Sequence, residues 1–358
     1  MIWGKKWLPA TVAVLLVVAI LGSGCTSSQG GSSRQEVTVK EQLINPDGQI
    51  EEREVTVPCP PGRVVVLGAY PAEIVKALGV EKAVIAVDES TKKNGWPEYV
   101  LGVEDAGSSF TPSVEKIIAL KPDLVIEAFL KSPQRDQLLN AGIPVLKIYG
   151  YKTEILTREI RTLGLVFNCQ ERANAFAAYI EKQWRTVRER TEELGSGQKP
   201  KVYWEYSYGD WKTGGPGSGL QPLIEWAGGI NIAAELGVAN PVVNPEWVAA
   251  KNPDVIIKYV GRELSGWTVK DTEKLEELRR QLMSRPGLKN TNAVKHGRVY
   301  LISDLITCAP RGAAGEYYVA KWLHPELFKD IDPEAVHREM LKKFYGEELK
   351  GVWVYPSK

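Results

Sequence analysis

Six aromatic or basic side chains follow runs of residues that are typical of buried strands. The strand-like runs lie at 64–67, 83–87, 201–205 and 298–302. Ligands bind at the carboxyl ends of parallel strands, so the side chains beyond these runs are candidate ligand-binding residues. They are Tyr70, Trp96, Tyr206, Tyr208, Trp211 and Arg311. Aromatic faces would stack on a bulky, partly apolar solute, and Arg311 could pair with its carboxylate or phosphate. Alternatively, some of these aromatic side chains only fill a hydrophobic core.

Other residues capable of chemistry are few or poorly spaced. The three histidines lie in the last quarter of the chain and do not form a zinc-type ligand set. Cys308 could ligate a metal, but a small buried side chain is the simpler interpretation. The glycines at 214, 215, 217 and 219 do not have the spacing of a P-loop or of a dinucleotide-binding loop. They predict a flexible turn. No esterase elbow or zinc-protease motif is present, which argues against an enzyme. We therefore expect no catalytic residue, no metal-ligand set and no cofactor of the protein's own.

The start of the chain is typical of a secretion signal. Lys5 and Lys6 precede an apolar run of about a dozen residues, too short to span a bilayer. The residues up to Cys25 resemble the lipobox of a lipoprotein, which predicts that Cys25 carries the lipid. Residues 26–33 are rich in Ser and Gly and predict a flexible tether. Removing residues 1–24 changes the balance of basic and acidic residues from 45 against 44 to 43 against 44. A nearly neutral protein lacks the excess of basic residues that is typical of nucleic-acid-binding proteins.

The body of the chain alternates short β-branched runs with helical stretches in both halves. This pattern predicts two lobes, each with a mainly parallel sheet covered by helices. One segment recurs: Glu115 and the Pro-Asp turn at 122–123 lie 131 residues before Glu246 and the turn at 253–254. Each copy predicts a helix with a glutamate in its first turn, a turn and a buried strand.

Between the halves, residues 168–195 predict one long helix, with Asn168 as N-cap and Glu171 in its first turn. A single helix between two lobes predicts opening and closing of small amplitude. The predicted division of the chain is a signal peptide (1–24), a lipid-anchored flexible tether and lead-in (25–54), an N-terminal α/β lobe (55–167), the interdomain helix (168–195), a C-terminal α/β lobe (196–325) and a C-terminal extension (326–358).

Five short motifs, in this order, resemble those of a known family. They lie at 63–66, 115–126, 227–231, 246–257 and 297–300. The family comprises the substrate-binding proteins of ABC importers for ferric siderophores, heme and cobalamin. The resemblance implies an α/β fold of two similar lobes joined by one long α-helix, and a monomer anchored outside the cell membrane. It also implies a metal chelate containing iron or cobalt as the ligand.

The resemblance also implies a docking role for two glutamates. In this family each lobe presents a glutamate to a basic patch on the permease dimer, which works with ATPase subunits, and the matching positions are Glu115 and Glu246. The alternative for each is a first-turn acid favoured by the helix dipole. Two other functions stay open at this point: a surface sensor, and an enzyme acting on a metal complex with the same fold.

Overall fold

The polypeptide forms two sheets and a separate hairpin in a computed structural model that describes residues 35–45, 49–308 and 310–357. The strands are β1 (Glu36–Ile44), β2 (Ile50–Pro58), β3 (Val64–Leu67), β4 (Val84–Val87), β5 (Glu104–Asp105), β6 (Leu124–Glu127), β7 (Val145–Lys147), β8 (Lys201–Glu205), β9 (Ile230–Asn231), β10 (Val255–Val260), β11 (Val299–Ser303) and β12 (Val354–Tyr355).

The helices flank these sheets. They are α1 (Ala69–Leu78), α2 (Glu89–Asn94), α3 (Val114–Ala119), α4 (Ser132–Asn140), α5 (Leu156–Val166), α6 (Gln170–Thr191), α7 (Leu220–Trp226), α8 (Pro245–Lys251), α9 (Glu273–Ser284), α10 (Asn292–Lys295), α11 (Gly312–Leu323) and α12 (Pro333–Met340).

Each lobe contains one sheet of mainly parallel strands. The N-terminal sheet has the order β5-β4-β3-β6-β7 and is parallel throughout. The C-terminal sheet has the order β12-β11-β10-β8-β9, in which only β12 is antiparallel. The strands β3, β6 and β10 are buried along their whole length, as expected when helices cover both faces of a sheet. The predicted fold class is confirmed.

Helix α6 connects the two lobes. Its 22 residues make a rod of about 33 Å. Phe176, Ile180 and Trp184 pack into the core of the N-terminal lobe, and Val187 packs into the core of the C-terminal lobe. The helix therefore contributes to both hydrophobic cores.

The predicted N-cap of this helix is wrong. Cys169 occupies the N-cap position and makes no side-chain cap. Asn168 has a φ of 52° and donates its backbone N–H to the carbonyl of Leu165, so it ends α5 instead. Asparagine tolerates this left-handed conformation, which the tight turn between α5 and α6 requires.

A β-hairpin occupies much of the stretch expected to be tether and lead-in. Strands β1 and β2 pair antiparallel from Glu36 opposite Pro58 to Ile44 opposite Ile50. Val39 and Val57 of the hairpin are buried in the N-terminal core. Glu41 is buried as well, and it accepts hydrogen bonds from Arg135 at 3.0 Å and from the backbone of Lys147 at 2.7 Å. The hairpin is therefore part of the lobe.

The signal peptide and Cys25 lie outside the described residues. Among the helices that the structure does describe, none has the length and apolarity needed to cross a bilayer.

The predicted C-terminal extension is built into both lobes. Phe344 stacks near Phe176 of α6 with ring centroids 4.6 Å apart, and its carbonyl accepts a 2.6 Å hydrogen bond from Arg172. Ten residues later, β12 pairs with β11 of the C-terminal sheet. The tail thus connects the lobes a second time, in addition to α6.

Candidate functional site

The strand order of each sheet places a crevice at the carboxyl ends of its central strands. In the N-terminal sheet the chain passes from β3 to β4 and β5 on one side, and then adds β6 and β7 on the other side of β3. In the C-terminal sheet it passes from β8 to β9 on one side, and then adds β10, β11 and β12 on the other side of β8. Open α/β sheets bind ligands where the strand order reverses. The residues just beyond β3, β6, β8 and β10 include Tyr70, Phe129, Tyr206 and Arg262. The candidate site is therefore where these loops of the two lobes meet.

On the N-terminal lobe, four aromatic rings form a continuous row. The ring of Tyr151 lies 5.3 Å from that of Tyr70 and 5.5 Å from that of Phe129, which stacks at 5.3 Å on Phe110. Phe110 is 52% exposed at the outer end of the row. The other three rings of the row are partly buried.

A shorter aromatic row lies on the C-terminal lobe. Tyr206 stacks on Tyr208 at 5.1 Å and contacts Tyr259 at 6.0 Å. Tyr208 is 56% exposed, whereas Tyr259 is buried and accepts a 2.8 Å hydrogen bond from Thr307. Cys308 lies near the hydroxyls of four tyrosines from the two lobes: Tyr70, Tyr151, Tyr206 and Tyr259. We call the space between the two rows the aromatic cleft.

Part of the aromatic cleft is a cavity of about 220 Å³. Residues 151–154 line it from the N-terminal lobe, and Thr307, Cys308 and the 217–221 loop line it from the C-terminal lobe. The first two glycines of the predicted flexible turn, Gly214 and Gly215, are closely packed against neighbouring residues. A Cβ on Gly215 would lie 2.4 Å from the carbonyl oxygen of Val238, so the loop is held by close backbone packing.

The aromatic cleft contains neutral hydroxyl and thiol groups beside the charged side chains of Lys152, Glu154 and Glu225. Burial raises the pKa of Tyr151 and of Tyr206 to about 12. Burial also raises the pKa of the Cys308 thiol to about 11, and the nearby carboxylate of Asp304 adds to the effect. At neutral pH these groups are protonated, so they can donate hydrogen bonds to a solute. The described residues contain no cluster of three or more His, Cys, Asp or Glu side chains able to hold a metal ion.

Arg311 is not free to meet a solute charge with its whole guanidinium. Its side chain is 3% exposed, and its Nε and Nη2 atoms lie 3.1 Å and 3.2 Å from the two carboxylate oxygens of Glu73 in the other lobe. The hydroxyl of Tyr345 donates to the same carboxylate at 2.9 Å. Trp96 lies 4.2 Å below the guanidinium and donates its indole N–H to Glu347 at 2.6 Å. We call this set of five side chains the interlobe clasp.

Next to the clasp lies a second, smaller space, which we call the side cavity. It has a volume of about 60 Å³ and is lined by both lobes, including Tyr70, Glu73, Trp96, Arg262, Trp267 and Arg311. Tyr70 lies between the two spaces, because it lines the side cavity and its ring contacts Tyr151 of the aromatic cleft.

The six predicted ligand-binding residues therefore separate into three places. Tyr70 and Tyr206 lie near Cys308 at the aromatic cleft, and Tyr208 stacks on Tyr206. Trp96 and Arg311 border the side cavity. Trp211 joins neither group: its ring lies 4.0 Å from the guanidinium of Arg285 and 6.4 Å from Tyr203. It packs at the edge of the C-terminal core.

Sequence reasoning missed several residues of both spaces. Phe129 and Arg262 follow β6 and β10 as directly as Tyr70 follows β3, so the strand-end rule could have found them. Tyr151 also lies a few residues beyond the end of β7. Phe110 has no comparable signal, because it lies in a loop whose path only the folded lobe determines.

Glu115 and Glu246 occupy equivalent places in the two lobes. Each is an exposed residue in the first turn of a short helix, α3 or α8. Ser113 caps α3 and Asn244 caps α8, each two residues before its glutamate. The symmetric placement is compatible with docking and with a helix-dipole role alike.

The two aspartates of the repeat have a structural role. The Asp123 carboxylate accepts a 3.0 Å hydrogen bond from the backbone N–H of Arg63, just before β3. Asp254 accepts one of 3.0 Å from Lys201 at the start of β8. The repeated segment therefore ties the beginning of the central strand to its neighbour in both lobes.

Comparisons with known proteins agree with this architecture. A relative from Bacillus subtilis, described as an uncharacterized ABC transporter substrate-binding lipoprotein, is 27% identical over 89% of this chain and 98% of its own length. The molybdate-binding protein MolA of Haemophilus influenzae is 24% identical over 84% of this chain and 90% of its own. A vitamin B12-binding protein of Vibrio cholerae is 25% identical over 68% and 90%.

The same fold is found in a solved structure. The TroA-like periplasmic binding protein FepB from Veillonella parvula superposes with a TM-score of 0.73 at 23% identity, covering 88% of this chain and 99% of that protein. The profile of the periplasmic binding protein family matches residues 64–305, from the first strand of the N-terminal sheet to just beyond β11. The chain therefore belongs to the periplasmic binding protein family, as the sequence resemblance predicted.

Proposed function

We propose that this protein is a lipid-anchored solute-binding protein that captures a metal chelate, such as a ferric siderophore, cobalamin or heme, and delivers it to the permease of an ABC transporter. The observation that carries the proposal is the aromatic cleft, where tyrosines from both lobes approach Cys308 beside a cavity of about 220 Å³. Such rings can cover the apolar faces of a bulky ligand while their neutral hydroxyls meet its polar edge. The relative from Vibrio cholerae is named as a vitamin B12-binding protein.

The cleft allows a direct binding test. Tryptophan fluorescence would be recorded while cyanocobalamin, hemin and two ferric siderophores, one catecholate and one hydroxamate, are added in turn. We expect at least one of them to bind at micromolar concentration or below. If none binds and uptake of all of them is normal in cells lacking the protein, a chelate is not the solute.

Docking requires a separate test, because the exposed glutamates do not line the cleft. Changing Glu115 and Glu246 to Lys should leave chelate affinity unchanged and abolish stimulation of ATP hydrolysis by the reconstituted transporter. The matched control changes Glu171 and Glu273, which are exposed first-turn glutamates of α6 and α9 outside the repeat, so that the helix-dipole cost is the same. Full stimulation by the Glu115→Lys, Glu246→Lys protein would favour a sensor over an importer subunit.

The lipid anchor rests on the residues around Cys25 and on the lipoprotein description of the Bacillus relative. Mass spectrometry of the mature protein should find a lipid on Cys25, and Cys25→Ser should release the protein from membranes. An unmodified cysteine, or a mature protein that begins elsewhere, would rule the anchor out.

A further inference from the structure

Each lobe buries a glutamate at the last residue of a strand that ends at the aromatic cleft. Glu127 ends β6 and Glu205 ends β8, and their side chains are 1% and 0% exposed. A buried carboxylate needs charged or hydrogen-bonding partners, and each of these two contacts one lysine and one arginine. None of these six side chains lines the cavity in the aromatic cleft or belongs to the interlobe clasp.

The set in the N-terminal lobe consists of Glu127, Lys147 and Arg135, which we call the N-terminal triad. Lys147 lies opposite Glu127 on the neighbouring strand β7, and its Nζ atom is 3.2 Å from both carboxylate oxygens. Arg135 of α4 donates to the same carboxylate at 3.0 Å. Lys147 also donates to the backbone carbonyl of Ala128 at 3.4 Å, and Glu127 accepts the backbone N–H of Leu130 at 2.9 Å. The triad therefore holds the loop that follows β6.

The C-terminal triad is the corresponding set of Glu205, Lys258 and Arg285. Lys258 lies opposite Glu205 on β10, with its Nζ atom 2.7 Å from the carboxylate, and Arg285 donates to that carboxylate at 2.8 Å. Lys258 also donates to the backbone carbonyl of Tyr206 at 3.1 Å. The carboxylate of Glu205 accepts the backbone N–H of Trp211 at 3.3 Å. The loop that follows β8 is therefore held by the same kinds of bond.

Both of these loops carry rings of the aromatic cleft. Phe129 lies between the two residues whose backbone the N-terminal triad holds. The carbonyl of Tyr206 is held directly, and Tyr208 lies between the two backbone positions that the C-terminal triad contacts. A ring that is fixed before a solute arrives loses less conformational entropy on binding than a mobile one.

Thermodynamic stability alone does not account for two such buried sets. Replacing a buried ion pair by apolar side chains of similar volume often leaves stability unchanged or raises it. A triad differs from an apolar contact because it makes directed hydrogen bonds to the backbone of a loop. These bonds select one loop conformation, which is what a preformed binding surface requires.

We propose that Lys147 and Lys258, with the carboxylates of their triads, are positioning residues that fix the rings of Phe129 and Tyr206 for stacking on the solute. This inference rests on the proposed function, because a solute in the aromatic cleft is what the rings are held for. Each triad acts on the row of its own lobe. The two rows can therefore be loosened one at a time.

The test variants are Lys147→Met and Lys258→Met, which remove the donor to the loop carbonyl and leave each glutamate paired with its arginine. Each variant is the control for the other loop. Leu323→Ala is the control for lost stability, because Leu323 is buried beside Gly229, near the start of β8 and away from the loops.

Hydrogen exchange tests the loops without any solute. Mass spectrometry of peptides that cover residues 128–131 and 206–212 follows the amides of Leu130 and Trp211. We expect exchange of the Leu130 amide to become at least about tenfold faster in Lys147→Met, and that of the Trp211 amide in Lys258→Met. Each variant should keep the parent's rate in the other loop, and Leu323→Ala should keep it in both.

A double-mutant cycle tests whether Lys258 acts through the ring of Tyr206. Calorimetry is carried out with cyanocobalamin, hemin, a ferric catecholate siderophore and a ferric hydroxamate siderophore. Tyr206→Ala and Lys258→Met should each lower affinity for the chelate that binds by about three- to fivefold. In the Tyr206→Ala background, Lys258→Met should cause no further loss. Combined with Phe129→Ala in the other lobe, its loss should multiply.

Three results would overturn the assignment. One is a parent protein whose Leu130 and Trp211 amides exchange as fast as unprotected amides, or lysine variants with the parent's rates. Another is a Lys258→Met protein with the parent's affinity. The third is a Lys258→Met loss that is equal with and without the Tyr206 ring. If none of the four chelates binds, hydrogen exchange still decides whether the triads fix the loops, and only the proposed function fails.

Discussion

The aromatic cleft and the interlobe clasp both lie between the two lobes, but the cleft is partly exposed and the clasp is buried. In the cleft, rings meet at 5.1 to 6.0 Å and both rows end in an exposed ring, Phe110 or Tyr208. In the clasp, Glu73 and Arg311 are almost fully buried, and each is paired with the other. The clasp can therefore hold the lobes at one spacing, which leaves the cleft open to a solute.

This difference bears on how the protein closes. Both α6 and the C-terminal tail cross between the lobes, and the tail brings Tyr345 and Glu347 to the clasp. Separating the lobes at the clasp would expose a buried ion pair and the stacked rings of Trp96 and Trp267. We expect a solute to enter by movement of cleft loops and side chains, with little change in the angle between the lobes.

The largest effect is expected from removing one partner of the buried pair Glu73–Arg311. Arg311→Ala leaves the Glu73 carboxylate buried without its guanidinium, and burial already raises the pKa of Glu73. We expect the free energy of unfolding to fall by about 3 to 5 kcal/mol, measured by urea denaturation. The control is Arg190→Ala, which removes an exposed pair with Asp330 and should cost less than about 1 kcal/mol. Equal losses in the two variants would show that the clasp is no stronger than a surface contact.

A buried carboxylate behind the cleft provides a pH-dependent test. Glu159 accepts hydrogen bonds of 2.7 Å and 2.8 Å from the backbone N–H groups of Tyr149 and Gly150, just before Tyr151. Burial raises its pKa from 4.5 to about 7, so the folded protein holds this proton more tightly than the unfolded chain does. The resulting stabilisation is complete below pH 4.5 and is lost as the pH rises to about 7.

The measurement compares the parent with Glu159→Gln, whose amide does not titrate. Between pH 4 and pH 8 the parent should lose about 3 kcal/mol of unfolding free energy relative to the variant. A difference between the two proteins that stays constant over this range would contradict the assigned shift. A loss of order at Tyr151 in the variant would link this carboxylate to the shape of the cleft.

The smallest expected effect concerns the cleft itself. Tyr151→Ala removes the ring at the centre of the N-terminal row and should weaken binding of whichever chelate the panel identifies by about fivefold, or roughly 1 kcal/mol. Trp211→Ala removes a ring that packs on Arg285 and should change affinity less. Calorimetry on both variants decides the matter. A larger loss of affinity in Trp211→Ala than in Tyr151→Ala would show that Trp211 lines the pocket, as the sequence predicted.

The sequence alone predicted the two lobes and the helix between them, but neither the β1–β2 hairpin nor the return of the C-terminal tail to both lobes. Short β-branched runs, helical spacing in α6 and the 131-residue repeat predicted two α/β lobes joined by a long helix. These signals act over a few residues, since a strand or an amphipathic helix is specified by the period of its own side chains. The rule that ligands lie beyond strand ends also named Tyr70 and Tyr206, which lie near Cys308, and Tyr208, which stacks on Tyr206. Their role in binding stays a prediction.

The tertiary structure alone decided which side chains meet. Glu73 and Arg311 pair across 238 residues, and the tail that completes the clasp begins beyond residue 340. No local period encodes such a contact, because the partner of a buried charge depends on how distant segments pack and on what they shield from water. The same reason separates Trp211, held by Arg285, from the tyrosines that precede it by only a few residues.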